Sequence, residues 1–254
     1  MRIAITREVS PEFERCELTH LARVPIDLAA ARRQHETYEQ LLKNAGCALV
    51  RLAADHGMPD SVFIEDIAIV FGELAIIARP GAESRRGETA AVAEALAGYR
   101  SLVHIEPPGT VDGGDVLTAG RRVFVGASPR TNAAGIAQMG RHLAPFGYAV
   151  HMVPVRGCLH LKSAVTAIAD DTLLINPEWV PADHFRPFRL LEVHPAEPNG
   201  ANAVRVGEAL IYPTGFPRTR ARLQTRGLQV TDVDITELAK AEGAVTCCSL
   251  IFTT

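Results

Sequence analysis

Short β-branched runs recur along this chain, each broken by a tight turn and followed by a polar loop and a helical stretch. Ile67–Phe71 and Leu74–Ala78 flank Gly72–Glu73, and Val116–Ala119 and Arg122–Val125 flank Gly120–Arg121. Val165–Ile168 and Thr172–Ile175 flank Ala169–Asp171, and Ala203–Val206 and Ala209–Tyr212 flank Gly207–Glu208. Gly and Asp at such turns are what tight hairpins require. The last apolar run, Ala244–Phe252, reads as a strand that would open a fifth hairpin, completed by the N-terminal strand Ile3–Thr6. Between these runs the apolar spacing lengthens to the helical period. Amphipathic helices are predicted over Asp27–Ala45, Gly87–Gly98, Asn132–Phe146 and Thr219–Gly227, with Gly46, Gly98, Gly147 and Gly227 as stops.

A polar residue or thiol stands before each hairpin: Asp66, Asp115, Ser163, Asn202 and Cys247. By subtraction these are 49, 48, 39 and 45 residues apart. A period of that size suggests stacked or radially arranged units within a single domain spanning 1–254. Loosely spaced hairpins in an ordinary α/β protein are the plainer explanation. A second echo favours the repeat. "ESRRGE", "SPRTN" and "FPRTR" place Arg85, Arg130 and Arg218 at the start of helical stretches. A helix N-terminus already carries positive partial charge, so a repeated arginine there points to anion binding or to pairing with a carboxylate.

Composition narrows the class. The chain has 254 residues, 47% hydrophobic and 22% charged, which is ordinary for a globular protein. A net charge of −3 gives no reason to expect a nucleic-acid or membrane-surface partner. The apolar runs are too short to span a bilayer, and "MRIAITRE" lacks the apolar core of a signal peptide. A cytoplasmic protein with reduced thiols is expected, its five cysteines being unpaired.

Four stretches could carry chemistry. In "PDSVFIEDIA", Asp60, Glu65 and Asp66 surround apolar residues at the mouth of a strand. They form either a solvated turn paired with arginines or a pocket for a cation. No histidine or further carboxylate stands at metal-ligand spacing. In "EPPGTVDGGDV", a rigid Pro/Gly loop holds Asp112 and Asp115, without the spacing of a nucleotide-phosphate loop. In "GCLHLKSAV", His160 reads as lying on an apolar strand, where a satisfied core histidine competes with a catalyst. In "GAVTCCSLIF", strand alternation points Cys247 and Cys248 to opposite faces. Cys248 then shares the more apolar face and packs in the core, while Cys247 is free to face a pocket. Opposed thiols argue against joint metal chelation, and a vicinal disulfide needs a strained peptide.

As an ordered set, "PDSVFIEDIA", "RPGAESRRGE", "EPPGTVDGGD", "SPRTN", "LHLKS", "ANAVRV", "YPTGFPRTR" and "GAVTCCSLIF" resemble the dimethylarginine dimethylaminohydrolase family of the guanidine-modifying (pentein) superfamily. The resemblance covers almost the whole chain. It implies an α/β fold, a five-bladed propeller of pseudosymmetric ββαβ units, which would explain the repeat. It implies Cys247 as nucleophile, His160 as general acid and base, and Asp112 as the acid that orients the histidine, where some relatives carry glutamate. It further implies Glu65 and Asp66 on the substrate guanidinium, Asp60 at its amino-acid end, and Arg85 and Arg130 on its carboxylate. The backbone near Leu18 would belong to a lid; that N-terminal stretch matches least well. The implied reaction converts Nω-methylated arginines to citrulline and an alkylamine through a covalent thiouronium. It needs no metal or organic cofactor, and its only implied partner is a guanidino amino acid. A homodimer is left open. Arginine or another guanidine as substrate, and a non-catalytic member of the superfamily, are the competing readings.

Overall fold

A computed structural model describes residues 1–254. In chain order, the first elements are β1 (Arg2–Arg7), α1 (Leu28–Asn44) and β2 (Cys47–Leu52). The next unit is β3 (Ala68–Val70), β4 (Leu74–Ile77), α2 (Thr89–Ala97) and β5 (Ser101–His104). It is followed by β6 (Val116–Ala119), β7 (Arg122–Ala127), α3 (Ala133–Leu143) and β8 (Ala149–Pro154). A short α4 (Leu161–Ala164) leads into β9 (Val165–Ala167), β10 (Thr172–Ile175) and β11 (Arg189–Glu192). The last elements are β12 (Val204–Val206), β13 (Ala209–Pro213), α5 (Pro217–Thr225), β14 (Gln229–Val233), α6 (Thr236–Ala239) and β15 (Leu250–Thr253).

The strands form five three-stranded sheets: β15-β1-β2, β3-β4-β5, β6-β7-β8, β9-β10-β11 and β12-β13-β14. In each sheet the first pair is antiparallel and the second is parallel. The parallel pair needs a crossover, and a helix supplies it in four of the units. In the fourth unit the crossover carries only a 3-10 turn, Ala182–Phe185. The terminal strands complete each other, with Ile3 opposite Phe252 and Ile5 opposite Leu250, so the ring closes through a sheet built from both chain ends. The fold is a five-bladed α/β propeller.

Local sequence chemistry explains the elements. Asp27 caps α1 by accepting the Ala30 N–H at 2.9 Å, and Gly46, at φ +88°, ends the turn that follows. Ala31, His35, Tyr38 and Leu42 recur at helical spacing and bury one face of α1. Asn132 caps α3 in the same way, through the Gly135 N–H at 2.9 Å.

The turns before the hairpins meet around the propeller axis and bond to one another. Gly114 N–H donates to Asp66 Oδ1 at 3.0 Å, and Leu161 N–H to Asp115 Oδ1 at 2.9 Å. Asn202 Nδ2 donates to the Lys162 carbonyl at 2.9 Å, and Thr246 N–H to Asn202 Oδ1 at 3.1 Å. Thr246 Oγ1 then donates to Glu65 Oε2 at 2.7 Å, which returns the chain of contacts to its start. The polar positions read as a repeat are thus the turns that join neighbouring blades, although the third unit uses the Lys162 carbonyl rather than Ser163.

Two expectations fail locally. The strand expected over Ala244–Phe252 begins only at Leu250, and Thr246–Cys248 is a 3-10 turn. The contacts of Thr246 to Asn202 and Glu65 curl this segment inward, and Cys247 N–H closes on the Ala244 carbonyl at 3.2 Å. His160 lies in a loop, at the N-cap of α4, rather than on a strand. The bond from Leu161 N–H to Asp115 turns the chain there.

Candidate active site

The turn Thr246–Cys248 presents its two thiols differently. A 3-10 helix rotates about 120° per residue, so neighbouring side chains diverge without any strand alternation. Cys248 is buried in the cluster that includes Tyr38 and Leu42. Cys247 is half-buried and lines a cavity of about 20 Å³, with its Sγ accepting the Ala244 N–H at 3.4 Å. Asp60, Asp66, Arg85, Arg130 and His160 line the same cavity. Burial pushes the Cys247 thiol up to about 12, and the Glu65 and Asp66 carboxylates push it the same way.

His160 is held between two carboxylates. Its Nε2 lies 3.1 Å from Asp112 Oδ2, and its Nδ1 lies 3.7 Å from Asp66 Oδ1. Asp112 is fully buried, and its other oxygen accepts the Gly81 N–H at 2.8 Å, so the carboxylate cannot rotate away. Burial alone would lower the pKa of the imidazole. The negative charge of Asp66 and the bond to Asp112 outweigh burial and raise it to about 9. Gly114 makes this approach possible. A Cβ there would stand 2.5 Å from His160 Nδ1 and 2.7 Å from Asp66 Oδ1.

The remaining charged residues are not all free. Arg85 is 4% exposed, and its Nη1 donates to Asp66 Oδ2 at 2.6 Å. Its Nε and Nη2 clasp Glu88 at 3.1 and 2.8 Å, and Nη2 also reaches the Phe63 carbonyl at 3.0 Å. Glu88 stands three residues after Arg85, a helical spacing that the sequence reading overlooked. Burial would raise the Asp66 pKa, but His160 and Arg85 together hold it below the usual range. Glu65 lies outside the small cavity. It pairs with Lys162 Nζ at 2.5 Å and lines a separate space of about 300 Å³. Lys162 sits within "LHLKS", but nothing local signals a partner 97 residues away.

The segment that holds Leu18 borders the cavity, with Glu17 in its lining. Leu18 is half-buried against the same cluster as Cys248. Both oxygens of Asp60 accept the Glu17 N–H, at 3.2 and 3.0 Å. Arg130 Nη2 donates to Thr19 Oγ1 at 3.0 Å. The Glu242 carboxylate accepts the backbone N–H groups of Thr19, His20 and Leu21 at 3.0, 2.5 and 2.7 Å. Glu242 was not foreseen. Its backbone is held at φ +60°, a conformation that costs a side-chain-bearing residue energy.

A propeller of five ββαβ-like blades whose inner cavity carries a cysteine and a carboxylate-backed histidine defines a guanidine-modifying, or pentein, type of protein. Residues 22–193 match the family described as N,N dimethylarginine dimethylhydrolase, eukaryotic. The chain is similar to the N(G),N(G)-dimethylarginine dimethylaminohydrolase of Pseudomonas aeruginosa, with 38% identity over 89% of this chain and 90% of the relative. It is 41% identical to the protein of that name from Streptomyces coelicolor, over 97% of this chain and 95% of the relative. A solved structure of the Pseudomonas aeruginosa enzyme, a cysteine-to-serine mutant complexed with citrulline, superposes with a TM-score of 0.94 at 36% identity, over 98% of both chains. The chain belongs to the dimethylarginine dimethylaminohydrolase family. The N-terminal domain of ArgZ, an arginine dihydrolase from Cyanobacteria, shares the fold, with a TM-score of 0.85 at 18% identity.

Proposed function

We propose that this protein hydrolyses Nω-methylated L-arginine to L-citrulline and an alkylamine, with Cys247 as nucleophile, His160 as acid and base, and Asp112 as the residue that orients the histidine. The observation that carries this reading is the imidazole, clasped by Asp112 and Asp66 in the cavity that Cys247 lines, and protonated up to about pH 9. A protonated imidazole at neutral pH is an acid ready to serve a departing amine.

The resting nucleophile is a thiol rather than a thiolate. A guanidinium entering beside Asp66 brings positive charge against the sulfur. That charge favours the thiolate, and the proton leaves to solvent. The thiolate sulfur bonds to the guanidinium carbon. His160 gives its proton to the alkylamine nitrogen as the C–N bond breaks, leaving an S-alkylthiouronium and a neutral imidazole. Water then attacks the same carbon while His160 takes its proton. The C–S bond breaks as the remaining hydroxyl proton passes to the sulfur, releasing citrulline and restoring the resting thiol.

A cavity of about 20 Å³ holds one water and no amino acid, so the lid must open to admit substrate. Each group that reads the amino-acid end already has a stand-in. The Glu17 N–H holds Asp60 where the α-ammonium would bind, and Thr19 Oγ1 holds Arg130 where the carboxylate would bind. Arg85, clasped by Asp66 and Glu88, serves as the fixed floor of that subsite. We assign Leu18 to the lid and keep Glu65 as a support of the guanidinium pocket through its neighbour Asp66. The reading also takes in one catalytic domain over 1–254 and a cytoplasmic location. No helix is long and apolar enough to cross a membrane.

The test is incubation of the purified protein with asymmetric dimethylarginine, monomethylarginine, arginine and agmatine, with ureido product and released amine measured. Methylarginines are expected to turn over fastest. Faster release of ammonia from arginine, or turnover by Cys247→Ser, would overturn the assignment.

A further inference from the structure

Behind the cavity wall, buried Glu65, Asn202 and Thr246 and half-buried Lys162 close a polar circuit. Lys162 Nζ and Thr246 Oγ1 donate to the two oxygens of Glu65, at 2.5 and 2.7 Å. Asn202 Nδ2 donates to Thr246 Oγ1 at 3.0 Å and to the Lys162 carbonyl at 2.9 Å, while its Oδ1 accepts the Thr246 N–H at 3.1 Å. The pattern fixes the amide's orientation. Flipped, its oxygen would face the Lys162 carbonyl and its NH₂ would face the Thr246 N–H. Asn202 is 3% exposed, and its two bonds to Thr246 are made away from competing water.

The members of this circuit adjoin the groups that line the cavity. Thr246 precedes Cys247, Glu65 precedes Asp66, and Lys162 follows His160 by two residues. The blade β12-β13-β14 lends no side chain to the catalytic cavity. Its buried amide instead bonds to both the turn that carries the thiol and the turn that carries the imidazole. We propose that Asn202 is a positioning residue, which acts through Thr246 and the Lys162 carbonyl to hold the Cys247 turn in register with the His160 turn. It touches no reacting atom. If the amide is lost, the 3-10 turn keeps its local bonds to Ala244 and Ser249 and, beyond its own neighbourhood, the Thr246–Glu65 contact, so its tie to the His160 turn is gone and the sulfur is free to drift from the line of attack.

This inference rests on Cys247 and His160 being the reacting pair, so the experiment includes Cys247→Ser. Asn202→Ala, Thr246→Val and Thr246→Ser are compared with wild type for kcat and KM on monomethylarginine, at a temperature well below each variant's Tm. A displacement near 1 Å costs about 10²-fold in rate. Asn202→Ala and Thr246→Val are therefore expected to lose kcat by about that factor with KM within threefold. Thr246→Ser, which keeps the hydroxyl, should stay within threefold of wild type. Iodoacetamide should alkylate Cys247 several-fold faster in Asn202→Ala, because the loosened turn opens the half-buried thiol. That readout needs no turnover, so it tests the circuit even if the assigned reaction fails. Unchanged kcat in both disruptive variants, a loss in Thr246→Ser equal to that in Thr246→Val, or alkylation at the wild-type rate would overturn the positioning role. Wild-type turnover matched by Cys247→Ser would instead overturn the assigned nucleophile.

Discussion

Replacing Gly114 with alanine drives one methyl group between the imidazole and its carboxylate partner. The new Cβ would stand 2.5 Å from His160 Nδ1, 2.9 Å from His160 Cγ and 2.7 Å from Asp66 Oδ1. Comfortable heavy-atom contacts begin near 3.5 Å, so a gap of about 1 Å must open. The backbone cannot supply it, because Gly114 N–H is bonded to Asp66 at 3.0 Å and Gly113 is pressed against the Glu65 carbonyl. The imidazole, whose only ring hydrogen bond is to Asp112 at 3.1 Å, is the part that moves. A 1 Å swing takes that bond to the edge of hydrogen-bonding range and misaligns the proton donor. The expected result is a loss of about 10²-fold in kcat, with an overpacking cost of ~1–3 kcal/mol in stability. The imidazole should also titrate lower, because both carboxylates that hold its pKa near 9 recede. The assay is citrulline release from monomethylarginine, combined with calorimetry and an NMR titration of the histidine. Gly140→Ala is the control: it lies in α3 with no atom within 4 Å of the new methyl, and gains up to about 1 kcal/mol from helix propensity. A kcat within threefold of wild type with an unshifted imidazole would refute this account of the glycine.

Cys248→Ser should keep most activity and cost ~1–3 kcal/mol by chemical denaturation, because a hydroxyl replaces a thiol in an apolar cluster; loss of turnover there with retention in Cys247→Ser would reverse the two roles. The imidazole of His160 holds its proton to about pH 9 when folded and to about 6.5 when unfolded. Its contribution, roughly 3 kcal/mol, is therefore complete below pH 6.5 and is lost as pH rises through 9. Cys247 acts in the same direction between about 9 and 12, since the unfolded thiol ionises first. Urea midpoints should fall from pH 7 to pH 9.5 in wild type and fall less in His160→Ala; parallel slopes would refute the assignment. Glu242→Ala should remove the acceptor for the amides of residues 19–21 and speed their hydrogen exchange at least tenfold, read by mass spectrometry; unchanged exchange would show that this segment does not depend on the carboxylate.

What the sequence determined by itself is what is settled within a few residues. The Gly and Asp turns marked four hairpins, and the closing glycines marked helix ends, because a turn or a helix stop finds its partner within about four positions. The five-fold period was legible for the same reason: each unit repeats its own local chemistry. The family motifs also named the residues that the structure gathers in one cavity, Cys247, His160 and Asp66 with Asp60, Arg85 and Arg130. Only the tertiary structure decided how each of them is partnered. Arg85 is clasped by Asp66 across 19 residues, Glu65 by Lys162 across 97, and the backbone of residues 19–21 is held by Glu242 across more than 220. The strand read over Ala244–Phe252 failed at this level, because bonds to Asn202 and Glu65 outbid the local preference for extension. Buried charges and amides bond to whatever the blades bring within reach, and the blades are brought together by burial of apolar surface, which has no direction and leaves no mark on the polar residue it positions.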